Sequence, residues 1–406
     1  MINASMDWFF ENRASPSVAS FLAENAAHGV ESALTVPILG WVAKDATSYA
    51  FPVSIYGPQA KTDPWHADAG NGVSPSGAKI PPGPPTRTSV PASPEWIKEW
   101  VSTIVAGDKE AGARSVHEYI LDNEPMLWSQ THRDVRPEPL GYDELLDRTI
   151  RYGTAIREAD PNAIIAGPAS WGWSGYFFSA KDLAARFGMR PDRRDHDNVP
   201  LVEWYLRKLR EYEEKTGVRV LDVLDLHYYP QADGVYGGGT GGTDPKTAAL
   251  RLRSTRSLWD PSYVDESWIH ESVRLLPMMK EWIARDYPGR AISIGEWNFG
   301  GEGHITGALA TAEALGRFAE YGVRSAFYWA VPPIGSPSIQ GFLAFRNFDG
   351  KGGRFLDWGL PTKETPGVSF FVSRDAEGKH LVAVAINMSP TTAKRAEIDV
   401  HSCGVV

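Results

Sequence analysis

The chain has 406 residues, 42% hydrophobic and 22% charged. This is a globular composition that excludes long disorder, and no apolar run approaches the roughly 18 residues of a membrane span. A formal net charge of −9 argues against a nucleic-acid binder, and the single cysteine, Cys403, excludes an internal disulfide or a cysteine metal site.

In chain order, Val18–His28 has a helical pattern, and Leu34–Gly40 is the first run of strand length. No signal-peptide pattern precedes them. The spacing of Trp96, Ile97, Trp100, Val101 and Ile104 predicts a helix over Pro94–Val105. Strand His117–Asp122, helix Tyr142–Ala159, strand Ala163–Ala166, helix Val199–Thr216 and strand Val220–His227 follow. A long helix over Glu266–Tyr287, bent near Pro277, leads to strand Ala291–Glu296, helix Gly307–Tyr321 and strand Ser325–Trp329. Gly367–Ser373, Leu381–Asn387 and Arg395–Val400 read as antiparallel strands beyond a Gly- and Pro-rich linker at Phe348–Lys363.

Strand–helix–strand units at this spacing mean right-handed crossovers and a parallel sheet. No Gly-rich phosphate loop follows any strand, so the dinucleotide and P-loop readings fail. The loop chemistry favours a (β/α)8 barrel, of which six strands are found and the first two are missing. Barrel chemistry belongs at the C-terminal strand ends. Those ends carry Trp41, Asn123-Glu124, Ser170-Trp171, His227-Tyr228-Tyr229, Glu296-Trp297 and Trp329.

Two carboxylates at separate strand mouths are what glycoside hydrolysis needs. One protonates the leaving oxygen and the other attacks the anomeric carbon, at roughly 5–5.5 Å separation for retention. Glu124, in Asp-Asn-Glu-Pro, and Glu296, in Ile-Gly-Glu-Trp-Asn, are that candidate pair. Asn123 can bond a sugar 2-hydroxyl. His227 and Tyr229 can bond the nucleophile or the substrate. The chain holds 15 Trp, and sugar rings lie well on indole. Trp329 is the candidate floor, and Trp41, Trp65, Trp128, Trp171, Trp173 and Trp297 are further platforms, although core burial explains an indole equally well. The oxygen-rich loop Asp63–Asn71 does not have EF-hand spacing, so a calcium ion has no support there. No His-x-x-x-His pair supports catalytic zinc.

The stretches TVPILGWVAKD (35–45), YGPQAKTDPWHADAGNG (56–72), YILDNEP (119–125), DVLDLHYYPQ (222–231), LWDPSYVDESWI (258–269), ISIGEWNFGG (292–301), FYWAVPP (327–333) and FRNFDGKGGRF (345–355) resemble glycoside hydrolase family 44. The resemblance implies a retaining bacterial endo-β-1,4-glucanase, active also on xyloglucan, lichenan or xylan, with a barrel joined to a β-sandwich. It implies Glu124 as acid/base and Glu296 as nucleophile, with Asn123, His227, Tyr229 and Trp329 supporting them. Against the family pattern, the first two barrel strands and part of the sandwich are absent.

The expectations are therefore these. The fold is α/β, a (β/α)8 TIM barrel over 1–347 with about six strands visible, then a partial antiparallel β-sandwich over 348–406. The protein is a monomer acting on a β-1,4-linked polysaccharide, with no nucleic-acid or membrane partner and no required cofactor. The full-length bacterial protein is secreted. A non-catalytic glucan-binding remnant and a mannan-specific hydrolase are the rival readings.

Overall fold

The computed structural model describes residues 17–45, 47–186, 188–236, 241–389 and 391–395. Contacts divide the chain into two compact units, one running to Leu226 with Trp282–Ala291 added, the other formed by His227–Glu281 and the chain from Ile292 onward.

In the first unit, β1 (Ser32–Val36) is followed by a small antiparallel ribbon, β2 (Trp41–Ala43) with β3 (Ser89–Pro91). Then come β4 (Val116–Leu121), β5 (Ile165–Ser170) and β6 (Val223–Tyr228), whose last two residues belong to the second unit. β1 pairs with β4, β4 with β5 and β5 with β6, all parallel. Every residue of β5 and β6 is buried, as in a parallel sheet covered on both faces.

Helix α1 (Val18–Ala27) precedes β1, and the long helices between the strands are α2 (Pro94–Ala111), α3 (Tyr142–Ala159) and α4 (Leu201–Thr216). Their ends are written in the sequence. The Ser93 hydroxyl accepts the Trp96 N–H at the start of α2, with Pro94 in its first turn. Gly217 closes α4 in the left-handed conformation.

In the second unit, β7 (Ala291–Trp297) pairs in parallel with β8 (Ser325–Tyr328). The surrounding helices are α5 (Pro245–Ser254), α6 (Leu275–Asp286, shared with the first unit), α7 (Ile305–Tyr321) and α8 (Pro337–Leu343). A three-stranded antiparallel sheet follows, β9 (Trp358–Leu360), β10 (Val368–Arg374) and β11 (Leu381–Asn387), with β10 in the middle. Alternate residues of β10 are buried. Phe371, Val384 and Ile386 form one apolar cluster with Ala312 of α7. The approach needs Gly316, because a Cβ there would lie 2.2 Å from the Phe371 ring. Six parallel strands alternating with helices define an α/β fold of the TIM-barrel type, with a partial sandwich after it.

Three expectations change, and a fourth is left open. The helix expected over Glu266–Tyr287 starts only at Leu275. Upstream, Asp260 and Asp265 accept the N–H groups of Ser262 and Ser267 and hold turns instead. Pro277 therefore sits in a first turn, where a missing N–H costs nothing. The expected linker 348–363 contributes β9, which pairs with β10. α5 and α8 are not in the sequence reading. The expected strand Arg395–Val400 lies outside the described residues from 396 onward.

Candidate active site

In the first unit, β4 delivers Asp122, Asn123 and Glu124 to its C-terminal end. Asp122 and Glu124 both adopt positive φ, 62° and 44°, a costly conformation for side chains that carry a Cβ. Hydrogen bonds hold it. The Asp122 carboxylate accepts the N–H groups of Ile38 at 2.7 Å, Leu39 at 2.9 Å and Asn123 at 2.9 Å. Burial pushes the Asp122 carboxyl up from its ordinary value, and these donors oppose that shift. The Glu124 N–H donates to the Ala169 carbonyl of β5 at 3.0 Å, and its carbonyl accepts from Leu127 at 2.8 Å. Asn123 is exposed and Glu124 half-buried.

The second unit builds the surroundings of Glu296. The Tyr229 hydroxyl donates to Glu296 Oε2 at 2.7 Å. His227, only 2% exposed, places Nδ1 3.5 Å from the same oxygen. The ring of Tyr236 stacks on Tyr229 at 4.7 Å. Two residues past Glu296, the buried Asn298 donates through Nδ2 to the Trp329 carbonyl at 2.5 Å and to Glu302 at 3.0 Å. Asn298 Oδ1 accepts the Gly300 N–H and the Tyr328 hydroxyl. Trp329 is thus fixed through its backbone, its peptide to Ala330 is cis, and its side chain is half exposed.

The predicted tryptophans divide by burial. Trp65 is well exposed, in a loop turned by the Asp63 carboxylate, which accepts the Trp65 and His66 N–H groups. Trp41 and Trp171 are half-buried. Trp128 and Trp297 are each 1% exposed and are core residues, a correction to their listing as platforms. The reason for Trp297 is strand alternation, which turns it to the face opposite Glu296. There it meets Phe318, Tyr328 and Phe342. Trp128 lies under the Arg148 guanidinium, which donates to the carbonyls of Ile38 and Leu39. Trp173 packs edge-on against Phe177 and Tyr176.

Sequence reasoning missed Asn298, Tyr236 and Trp268. Trp268 is 58% exposed, and its indole N–H donates to Gln231, whose amide donates to the Tyr229 carbonyl. Its only sequence signal is the quoted stretch around 258–269. The oxygens of the 63–71 loop accept backbone and serine donors: Asp68 accepts from Ser54 and Asn71 from Val73.

The description Glycoside hydrolase family 44 matches residues 1–232. Endoglucanase A of Paenibacillus lautus is 35% identical over 280 residues, covering 66% of this chain and 39% of that protein. Beta-mannanase/endoglucanase A of Caldicellulosiruptor saccharolyticus is 34% identical over 255 residues, 58% of this chain and 19% of that protein. The chain thus spans well under half the length of either curated relative. Among solved structures, CelM2, a bifunctional glucanase-xylanase protein from a metagenome library, superposes with a TM-score of 0.87 at 35% identity, over 95% of this chain and 78% of its own. A Paenibacillus polymyxa xyloglucanase of family 44, solved with xyloglucan, gives 0.71 at 28% identity over 91% and 71%. A TIM-barrel-type fold with these strand ends is a glycoside hydrolase architecture. The chain belongs to glycoside hydrolase family 44.

Proposed function

We propose that this chain is the catalytic part of a retaining, endo-acting hydrolase of β-1,4-glucan backbones, with Glu296 as nucleophile and Glu124 as acid/base. The observation that carries the reading is the setting of Glu296 at the end of β7. One of its oxygens takes the Tyr229 hydroxyl at 2.7 Å with His227 beside it. Donors on a carboxylate favour its charged form and fix its direction. That suits a group that must attack as an anion.

In the first step Glu296 bonds to the anomeric carbon while the glycosidic C–O bond breaks. Glu124, protonated, gives its proton to the departing oxygen. In the second step Glu124, now a carboxylate, takes a proton from water. The water oxygen bonds to the anomeric carbon and Glu296 is released. Asn123 bonds the 2-hydroxyl, whose contacts tighten in the transition state. Trp329 floors the sugar beside the scissile bond, and Trp41, Trp65, Trp171 and Trp268 extend the track.

The names of the relatives, an endoglucanase, a glucanase-xylanase, a xyloglucanase and a beta-mannanase/endoglucanase, support a range of glucan, xyloglucan and xylan, with mannan as the rival substrate. A polymer substrate also places the working protein outside the cell, where it acts as a monomer. The test is reducing-sugar release from carboxymethylcellulose, xyloglucan, xylan and mannan. Endo-type turnover of a glucan is expected. Turnover of mannan alone, or glucan binding without any product, contradicts the reading.

A further inference from the structure

Arg251 of α5 has no part in the chemistry above, yet it is fully buried. Its Nε donates to the Phe299 carbonyl at 2.9 Å and its Nη1 to the Thr306 hydroxyl at 2.9 Å. Its Nη2 donates to the carbonyls of Val235 at 3.2 Å and Gly242 at 2.7 Å. Among the described residues no carboxylate forms an ion pair with it. A guanidinium out of water is costly unless its donors are met. Here four neutral oxygens meet them.

Those acceptors belong to two segments. Val235 and Gly242 lie after β6, and Phe299 and Thr306 lie after β7. Only a planar fork of donors can span both, so neither lysine nor an apolar side chain would replace it. The two segments touch closely. A Cβ on Gly300, whose φ is 67°, would lie 2.2 Å from the Val235 carbonyl oxygen, and one on Gly301 would lie 2.5 Å from the Arg251 guanidinium carbon.

Both segments lead to Glu296. The first carries Tyr236, next to the clamped Val235, with its ring stacked on Tyr229 at 4.7 Å and 24°. Tyr229 in turn donates to Glu296. The second is the continuation of β7, three residues beyond Glu296 at Phe299.

We propose that Arg251 and Tyr236 are positioning residues for the nucleophile. Arg251 locks the two segments together, and the Tyr236 ring backs Tyr229 so that its hydroxyl stays aimed at Glu296. The inference rests on the reading of Glu296 as nucleophile. Neither residue is proposed to touch substrate. Their effect runs through one hydrogen bond, which keeps Glu296 ionised and in line. Among the described contacts of this unit, Tyr229 and His227 face Glu296. Glu124 is the group the reaction sets opposite it. All three are unchanged in the variants below.

The experiment uses the whole chain, with Tyr236→Leu, Tyr236→Phe, Arg251→Met and Glu296→Gln measured in parallel on the preferred glucan. In Tyr236→Leu, kcat falls about tenfold with KM within about twofold. The acid limb of the kcat/KM profile moves up by about one pH unit, because a carboxylate that loses its donor holds its proton to higher pH. Tyr236→Phe keeps the ring and moves the limb back toward the parent. Arg251→Met shows the same displacement in its folded fraction, and if it does not fold, Tyr236→Leu decides alone. Carbon-13 NMR titration of the Glu296 carboxyl reads the same shift without turnover. An unmoved limb and an unmoved titration in Tyr236→Leu overturn the proposal. Full activity in Glu296→Gln overturns the nucleophile reading instead.

Discussion

The exits of β4 and β7 each end in a glutamate, and the contacts described around the two differ. Around Glu124 the described contacts fix the main chain: two positive-φ residues, the Asp122 carboxylate on three backbone N–H groups, and the Glu124 N–H on Ala169. Around Glu296 they fix the carboxylate itself, through Tyr229 and His227. The proposed division of labour asks different things of the two. An acid/base gives up a proton and then takes one, and it must face first the leaving oxygen and then a water. A nucleophile must stay charged and in line with one carbon.

The largest effect expected from breaking this comparison is at Glu296. Glu296→Gln should lower kcat on glucan by more than about 10⁴-fold, since a neutral amide cannot form the glycosyl-enzyme. Single-turnover hydrolysis assays check it. Glu124→Gln should lower kcat on polysaccharide by about 10²–10⁴-fold. It should spare glycosylation by an aryl cellobioside whose leaving group needs no proton, so a burst of the phenol should precede slow turnover. If the two variants behave alike on the aryl substrate, the division of labour is wrong.

The pair itself was legible because each glutamate ends an apolar run, Tyr119-Ile120-Leu121 or Ile292-Ser293-Ile294, where a buried parallel strand gives way to a polar mouth. The six strands were legible for the same reason. Of what surrounds Glu296, His227 and Tyr229 were legible at the end of their strand, whereas Tyr236 and Arg251 were not. Arg251 stands in PKTAALRLRS, a polar stretch in which no element was expected. Its burial is set by two loops distant in sequence. Trp128 and Trp297 read like Trp65 because composition cannot tell an indole in a core from one in a cleft. For Trp297, counting one residue on from Glu296 along the strand could have told them apart.

The comparison also extends to the scaffolds. Phe371→Ala should cost about 3–5 kcal/mol of stability, because the ring fills the contact between β10 and α7 over Gly316. Thermal melting checks it, and the cost should appear without a shift in the acid limb attributed to Glu296.

In the first unit the buried Asp134 carboxyl accepts the Thr88 hydroxyl at 2.7 Å and is pushed up to about 6 by burial. A folded value above the unfolded one makes its contribution greatest below about pH 4 and lost as the pH rises through about 6. Asp134→Asn removes this titration. It should gain on the order of 2 kcal/mol relative to the parent at pH 8 compared with pH 4. Melting curves at the two pH values test this, and a pH-independent difference would refute it.

The smallest effect concerns Trp268. Trp268→Ala should raise KM about 3- to 10-fold with kcat nearly unchanged, the loss of one stacking surface. An unchanged KM on every glucan removes it from the track.

The central claim is tested most directly by trapping the intermediate. The chain is incubated with a 2-deoxy-2-fluoro-cellobioside bearing an activated leaving group, then digested and mapped by mass spectrometry. The account predicts one added fluoro-cellobiosyl group, on the peptide that contains Glu296. A label on Glu124, or glucan turnover with no carboxylate labelled at all, would contradict it.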